Sequence, residues 1–196
     1  MFWFLHRACI VAFWCLWLAA AVIVYEQRAV LQPMFDYAGL VWRHGLGATQ
    51  ELPTLEGKAT MVFAGDSFQF VDAGGYGFNY GLAGVAAPHA GRDDAPEQKR
   101  LADQSRTNLL QLLAGRHVTV QVTLANPQTR TGLGLVRCGG MNINAEVLAA
   151  GQGSLNPRQI QMLPLADEFE LLRAEHQARR LRVGVWSKSS PVAAAR

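Results

Sequence analysis

Eighteen consecutive residues, Ala8 to Tyr25, carry no charged side chain. Such a run has no charged face to turn toward water, so it does not pattern as one layer of a soluble domain. As a helix it reaches roughly 27 Å at about 1.5 Å per residue, close to the ~30 Å hydrocarbon layer of a bilayer. Trp3, Trp14, Trp17 and Tyr25 add rings that, near the ends, suit the headgroup region. Residues 1–28 are therefore expected to form a single-pass membrane anchor. Along it Ala8, Ala12, Ala19 and Cys15 are small enough for a second helix to approach, and Tyr25 closes the run. The rival is a signal peptide cleaved near Ala19-Ala20-Ala21, against which the apolar run continues through Val22-Ile23-Val24. Arg7 on one side and Arg28 and Arg43 on the other leave the orientation open.

The remainder has to fold without that segment. Hydrophobic residues make up 50% of the chain and charged ones 17%, a balance that excludes disorder. The net charge of +3 does not mark a nucleic-acid binder. Cys9, Cys15 and Cys138 form no paired motif, so neither a zinc site nor a disulfide framework is expected. Between 29 and 54, Val30, Met34, Ala38 and Val41 recur at helical spacing, with Phe35, Leu40 and Trp42 widening the apolar face. The segment reads either as a helix at a membrane or partner surface, contacting through Val30, Met34, Phe35, Val41 and Trp42, or as an ordinary connector. Gly45, Gly47 and Pro53 mark the linker.

The folded domain is expected over 55–188, followed by a tail at 189–196. Thr60 to Phe63 is an apolar β run, Ser67 to Val71 a second strand, and Asp72 to Gly75 a turn. Tyr76 to Val85 reads as a third strand bent by Gly77, Gly81 and Gly84. A helix from Pro96 to Ala114 carries Leu101, Ser105, Leu109 and Leu112 on one stripe, and Gly115 ends it. His117 to Thr123 alternates Val118, Val120 and Val122 inward, and Leu133 to Cys138 is another strand. A short helix starts near Ile143. A long one spans Leu165 to Leu181, with Phe169, Leu172, His176 and Arg179 or Arg180 on its stripe. About five short strands with interspersed helices indicate a small barrel of mixed α+β, mainly β, class. Trp186, Val183 and Leu181 are expected to pack the last helix against it.

Several stretches in this order resemble the staphylococcal nuclease (thermonuclease) family. They are Gly57-Lys58-Ala59, Gly65-Asp66-Ser67, Val85-Ala86-Ala87-Pro88, Gly132-Leu133, Ile143-Asn144 with Gly151, Ala174 to Arg179, and Val183-Gly184-Val185-Trp186-Ser187. The resemblance covers roughly residues 57 to 187 and implies an OB-type five-stranded barrel. It further implies phosphodiester hydrolysis with a calcium ion, a carboxylate base and two phosphate-binding arginines. Carried over position by position, the first metal carboxylate falls on Asp66 and the second on Ala86. The first arginine falls on Gly81 and the second on Thr131, and the general base falls on His89. Only Asp66 keeps the expected side chain, and a lone Asp after Gly also suits a tight turn. Arg130 would restore one arginine after a one-residue slip. Asp93, Asp94 and Glu97 offer a rearranged cation site, and His89 reads as a base or a surface histidine.

Arg173, Arg179, Arg180 and Arg182 form a basic cluster on the last helix that suits phosphate or acidic lipid, but Glu168, Glu170 and Glu175 are interleaved with them, the pattern of a solvated helix with local ion pairs. The expectation is thus a non-catalytic, membrane-anchored accessory subunit of a membrane complex, with no cofactor, metal or small-molecule substrate. Its partners would be other subunits and lipid, with the mitochondrial inner membrane favoured over a bacterial one. The alternatives are a nucleic-acid-binding barrel and a calcium-dependent nuclease with a shifted site.

Overall fold

The computed structural model describes residues 52–187 continuously, together with 13, 14, 16–18, 21, 22, 25, 35 and 38–42. Ala8, Ala12, Cys15, Ala19, Val30, Met34 and the tail from 188 onward lie outside the described residues. The chain divides into two compact units, Met1–Gly45 and Leu46–Arg196. In the first, every described residue is helical. Phe13, Trp14, Leu16, Trp17, Leu18, Val22 and Tyr25 are 55–71% exposed there. Phe35 and Trp42 are exposed too, Val41 is half-buried and Leu40 is buried. Among the described residues no helix is long and apolar enough to cross a membrane.

The second unit builds its own core. Its strands are β1 (Thr54–Ala64), β2 (Ser67–Asp72), β3 (Gly77–Leu82), β4 (Val85–Ala86), β5 (His117–Asn126), β6 (Thr131–Cys138), β7 (Met141–Asn142) and β8 (Ser154–Leu155). Its helices are α1 (Pro96–Leu113), α2 (Ile143–Ala149), α3 (Pro157–Ile160) and α4 (Leu165–Leu181), followed by a 3-10 turn at Gly184–Trp186. The sheet order is β3-β2-β1-β5-β6-β7, and a parallel pairing of β3 with β6 closes it. Five strands therefore make a closed barrel, with β7 added at the side of β6 and β4 paired only with β8. Closure removes the free edges that a short antiparallel sheet would otherwise expose.

The expected third strand is broken in two. Leu82 ends β3, and the backbone turns at Gly84, whose φ is +79°. Val85 then restarts in a different sheet. A Cβ at Gly84 would lie 2.8 Å from Leu171 Cδ2, so α4 packs directly against the turn. Asn144, fully buried, holds the same corner: its Nδ2 donates to the Ala83 and Gly134 carbonyls at 2.8 and 3.2 Å. Its Oδ1 accepts from the Val136 N–H at 2.9 Å. One amide thus ties α2 to the turn and to β6, with each polar atom satisfied.

On α1 the buried stripe is Leu101, Ser105, Leu109 and Leu113, with Leu112 only partly buried. On α4 the buried stripe is Leu171, Ala174, Glu175 and Ala178, preceded by Asp167 and Glu168. The expected face through Phe169, Leu172 and His176 is therefore displaced. Apolarity misleads there because three acids face inward. Glu175 Oε1 accepts from the Leu155 N–H at 2.8 Å, and its Oε2 lies 2.7 Å from Arg179 Nη2. The Arg179 guanidinium in turn covers the Trp186 ring at 4.3 Å. At the C-terminal end Val185 is the buried anchor, whereas Leu181 is 57% exposed and Trp186 and Val183 are half-buried. The expected packing through those three side chains is corrected accordingly.

Candidate functional site

The turn between β1 and β2 presents Asp66 at one end of the barrel. Its position follows from the ladder: Ser67 pairs with Gly81, and the Asp66 carbonyl accepts from the Leu82 N–H at 2.8 Å. Gly65 permits the approach of α1, since a Cβ there would lie 1.8 Å from Ser105 Oγ. The Asp66 carboxylate then points at the segment after β4. Its Oδ2 accepts from the Ala87 N–H at 3.1 Å and lies 3.1 Å from His89 Nε2. The Asp66 side chain is 16% exposed and that of His89 is 64% exposed.

Four of the five positions carried over from the resemblance meet here. Asp66 touches His89 directly. Gly81 stands across the ladder from Ser67, and Ala86 immediately precedes the residue whose N–H Asp66 binds. Thr131 is reached through the closing pair of the barrel. It sits beside Asn79 on β3, two residues before Gly81, and its Oγ1 lies 2.7 Å from that of Thr129. The position held by Gly81 is crowded, because a Cβ would fall 2.8 Å from Leu133 Cδ2. The sequence pattern puts Asp66 and His89 at one site, and the fold adds a direct contact between them. A histidine three residues after Ala86 was the available signal.

The chemistry of this donor set is narrow. A hard divalent cation takes about six to eight oxygen ligands. Here one carboxylate is present, one of its oxygens is shared by a backbone N–H and an imidazole, and Ala86 contributes no side-chain oxygen. The residues at these positions do not fit calcium. The loop beyond does not supply a replacement: Asp94 Oδ2 accepts from the Gly91 N–H at 2.6 Å, and Glu97 pairs with Arg100 at 2.5 Å. That hydrogen bond from Arg100 is the main cause holding the Glu97 carboxyl below its ordinary range. Among the described residues no group of three His, Cys, Asp or Glu side chains could hold a metal ion. Arg130 is exposed in the left-handed region, with φ +52°, and its carbonyl accepts from the Asn79 N–H at 2.8 Å.

A closed five-strand barrel with helices packed around it, and a turn aspartate facing the strand-loop segment after it, defines an OB-like domain of the nuclease type. The model of the staphylococcal nuclease homologue family matches residues 80–188, and the chain belongs to that family. The match opens inside β3, so Asp66 is joined to it by the barrel itself. No curated protein matches the chain.

Proposed function

We propose that the chain is a membrane-anchored, catalytically silent member of this family that serves as an accessory subunit of a membrane complex. One observation carries the loss of catalysis. The surviving carboxylate, Asp66, is engaged by Ala87 and His89, while Gly81, Ala86 and Thr131 bring no charge to the site. Phosphodiester hydrolysis needs an activated water and positive charge around an anionic transition state. Neither is supplied by Gly, Ala and Thr. The anchor is supported by the uncharged run Ala8 to Tyr25 and by the seven large apolar side chains exposed on its described part. A mitochondrial inner membrane is the favoured location by analogy, since domains that have lost catalysis are readily reused as added subunits.

The test assays the purified full chain on labelled single-stranded DNA and RNA with and without calcium. No calcium-stimulated cleavage is expected. Cleavage that disappears in Asp66→Ala would restore the nuclease reading. Purification from membranes in mild detergent, with identification of the co-purifying chains, tests the subunit assignment, and recovery of the chain alone would remove it.

A further inference from the structure

The first half of β1, away from the Asp66 turn, lines a pocket of about 380 Å³. The ladders fix what surrounds it. Lys58 stands opposite Val71 on β2 and His117 on β5, so the three share one face of the sheet. Two residues earlier on that face comes Glu56, opposite Thr119. Gly57 lies between them, paired with Asp72. A Cβ at Gly57 would fall 2.2 Å from the Val71 carbonyl oxygen, so a side chain there would push β2 away.

The charged groups around this pocket are of both signs and are separated in place. Glu56 and Asp72 mark one end, and Lys58 beside the His117 ring marks the other. Two residues of strand separate Glu56 from Lys58, roughly 6.6 Å at about 3.3 Å per residue. Neighbours do not occupy these groups. Among the described residues no hydrogen bond or ion pair engages the side chains of Glu56, Lys58 or His117. Asp72 Oδ1 accepts from the Tyr76 N–H at 2.8 Å, and its Oδ2 stays open. Half-buried Val71 and exposed Ala73 give the wall between the two ends an apolar stretch.

We propose that this pocket binds a free dipeptide, with its ammonium group at Glu56 and Asp72 and its carboxylate at Lys58 and His117. The proposal is independent of the membrane reading above. Charge selects the class of ligand. A polyanion is repelled by Glu56 and Asp72, and a simple cation by Lys58, whereas a zwitterion matches both ends at once. Spacing selects within that class. Two extended residues reach at most about 7 Å, the span from Glu56 to Lys58, and a single amino acid reaches about half of it. The volume falls in the range of small-ligand sites, roughly 300–1,000 Å³. The apolar wall receives a short aliphatic side chain. Hydrogen bonds between ionised groups are the stronger kind, but an open pocket leaves them partly hydrated, so the Kd should be roughly millimolar.

The test follows saturation transfer by NMR from the full chain in detergent to alanyl-valine, with empty micelles as the blank. N-acetyl-alanyl-valine lacks the ammonium group and alanyl-valine amide lacks the carboxylate. Each should bind roughly tenfold more weakly than the free dipeptide. Lys58→Gln should weaken alanyl-valine by the same factor and leave the amide unchanged. Glu56→Gln should likewise leave the acetylated form unchanged. Both residues are exposed, so both variants should keep the parent melting temperature. Absence of saturation transfer at about 10 mM dipeptide overturns the proposal. Equal binding of all three peptides overturns it too, since contact would then rest on the apolar wall alone. Equal binding of alanine removes the spacing argument and with it the dipeptide. Equal binding of δ-aminovalerate, which carries both charges and no side chain, assigns the pocket to ω-amino acids and overturns the proposal as well.

Discussion

Asp66 and His89 share a single oxygen: Asp66 Oδ2 lies 3.1 Å from His89 Nε2 and accepts from the Ala87 N–H at the same distance. The two contacts differ in weight. Ala87 is 8% exposed, so its N–H has little access to water if the carboxylate is removed. The His89 ring stands mostly in solvent. Asp66→Ala should therefore cost about 1–3 kcal/mol, the desolvation penalty of a stranded donor. His89→Ala should change stability by less than about 0.5 kcal/mol, as an exposed pair contributes little. Urea unfolding of both variants checks this, and equal losses would mean that the histidine carries the turn.

This pairing marks where sequence reading stops. The positions of Asp66 and His89 were legible from Gly65-Asp66-Ser67 and from Pro88, because both stretches follow the chain locally. Their contact depends on the β2–β3 ladder, which sets Ser67 beside Gly81, and on the turn at Gly84 that sends the chain on past Asp66, neither of which the two stretches show by themselves. The alternating Val118 and Val120 gave β5 its inward face, yet β5 runs on to Asn126 and β1 starts back at Thr54. Most residues of those extensions are exposed, Leu55 and Leu124 among them, so burial imposes no period-two pattern there. The two-residue ladder of β4 and β8 rests on Val85 pairing with Leu155, a contact between segments that the spacing of apolar residues does not report.

Asp167 gives the domain a pH dependence of defined sign. It is buried on the first turn of α4, with Oδ1 2.7 Å from Arg137 Nη2. Burial pushes its carboxyl above the ordinary range, Arg137 opposes this and Glu170 adds to it. The folded protein then holds this proton more tightly than the unfolded chain. The resulting stability is complete below the ordinary carboxylate range and is lost as pH rises through the raised value. Asp167→Asn removes that loss, so the stability of the variant relative to the parent should increase from about pH 4 upward. Unfolding midpoints across that interval test it. A relative stability that falls with pH would show the Arg137 pair to be the stronger influence.

Glu175 joins three elements through one carboxylate, binding the Leu155 N–H of β8 and Arg179, which covers Trp186. Its side chain is 4% exposed, so both acceptors act away from water. Glu175→Ala should cost about 2–3 kcal/mol, as hydrogen bonds to a charged group are worth more than neutral ones. Glu175→Gln can still accept from Leu155 and should cost less. Trp186 emission should shift in the alanine variant, since the guanidinium above the ring loses its partner. Unchanged emission would separate the ring stack from the ion pair.

The chain crosses itself at two glycines, and this crossing seats the C-terminal turn. Gly151 and Gly184 both adopt left-handed backbone, with φ +67° and +56°. A Cβ on Gly184 would fall 1.9 Å from the Gly151 carbonyl oxygen, and one on Gly151 would fall 2.3 Å from that of Val183. The same carbonyl of Gly151 accepts from the Val185 N–H at 2.8 Å, and Val185 is 2% exposed. Gly184→Ala must therefore part the two segments, lose that hydrogen bond and lift Val185 from its seat. Gly115 provides the comparison: its φ is +69°, but nothing lies within 4 Å of a Cβ built there. Gly115→Ala should cost about 1 kcal/mol for the backbone alone. Gly184→Ala should cost about 3 kcal/mol or more once the lost contacts are added. Thermal unfolding of the two variants side by side measures the difference, and equal losses would reduce the crossing to a matter of φ alone.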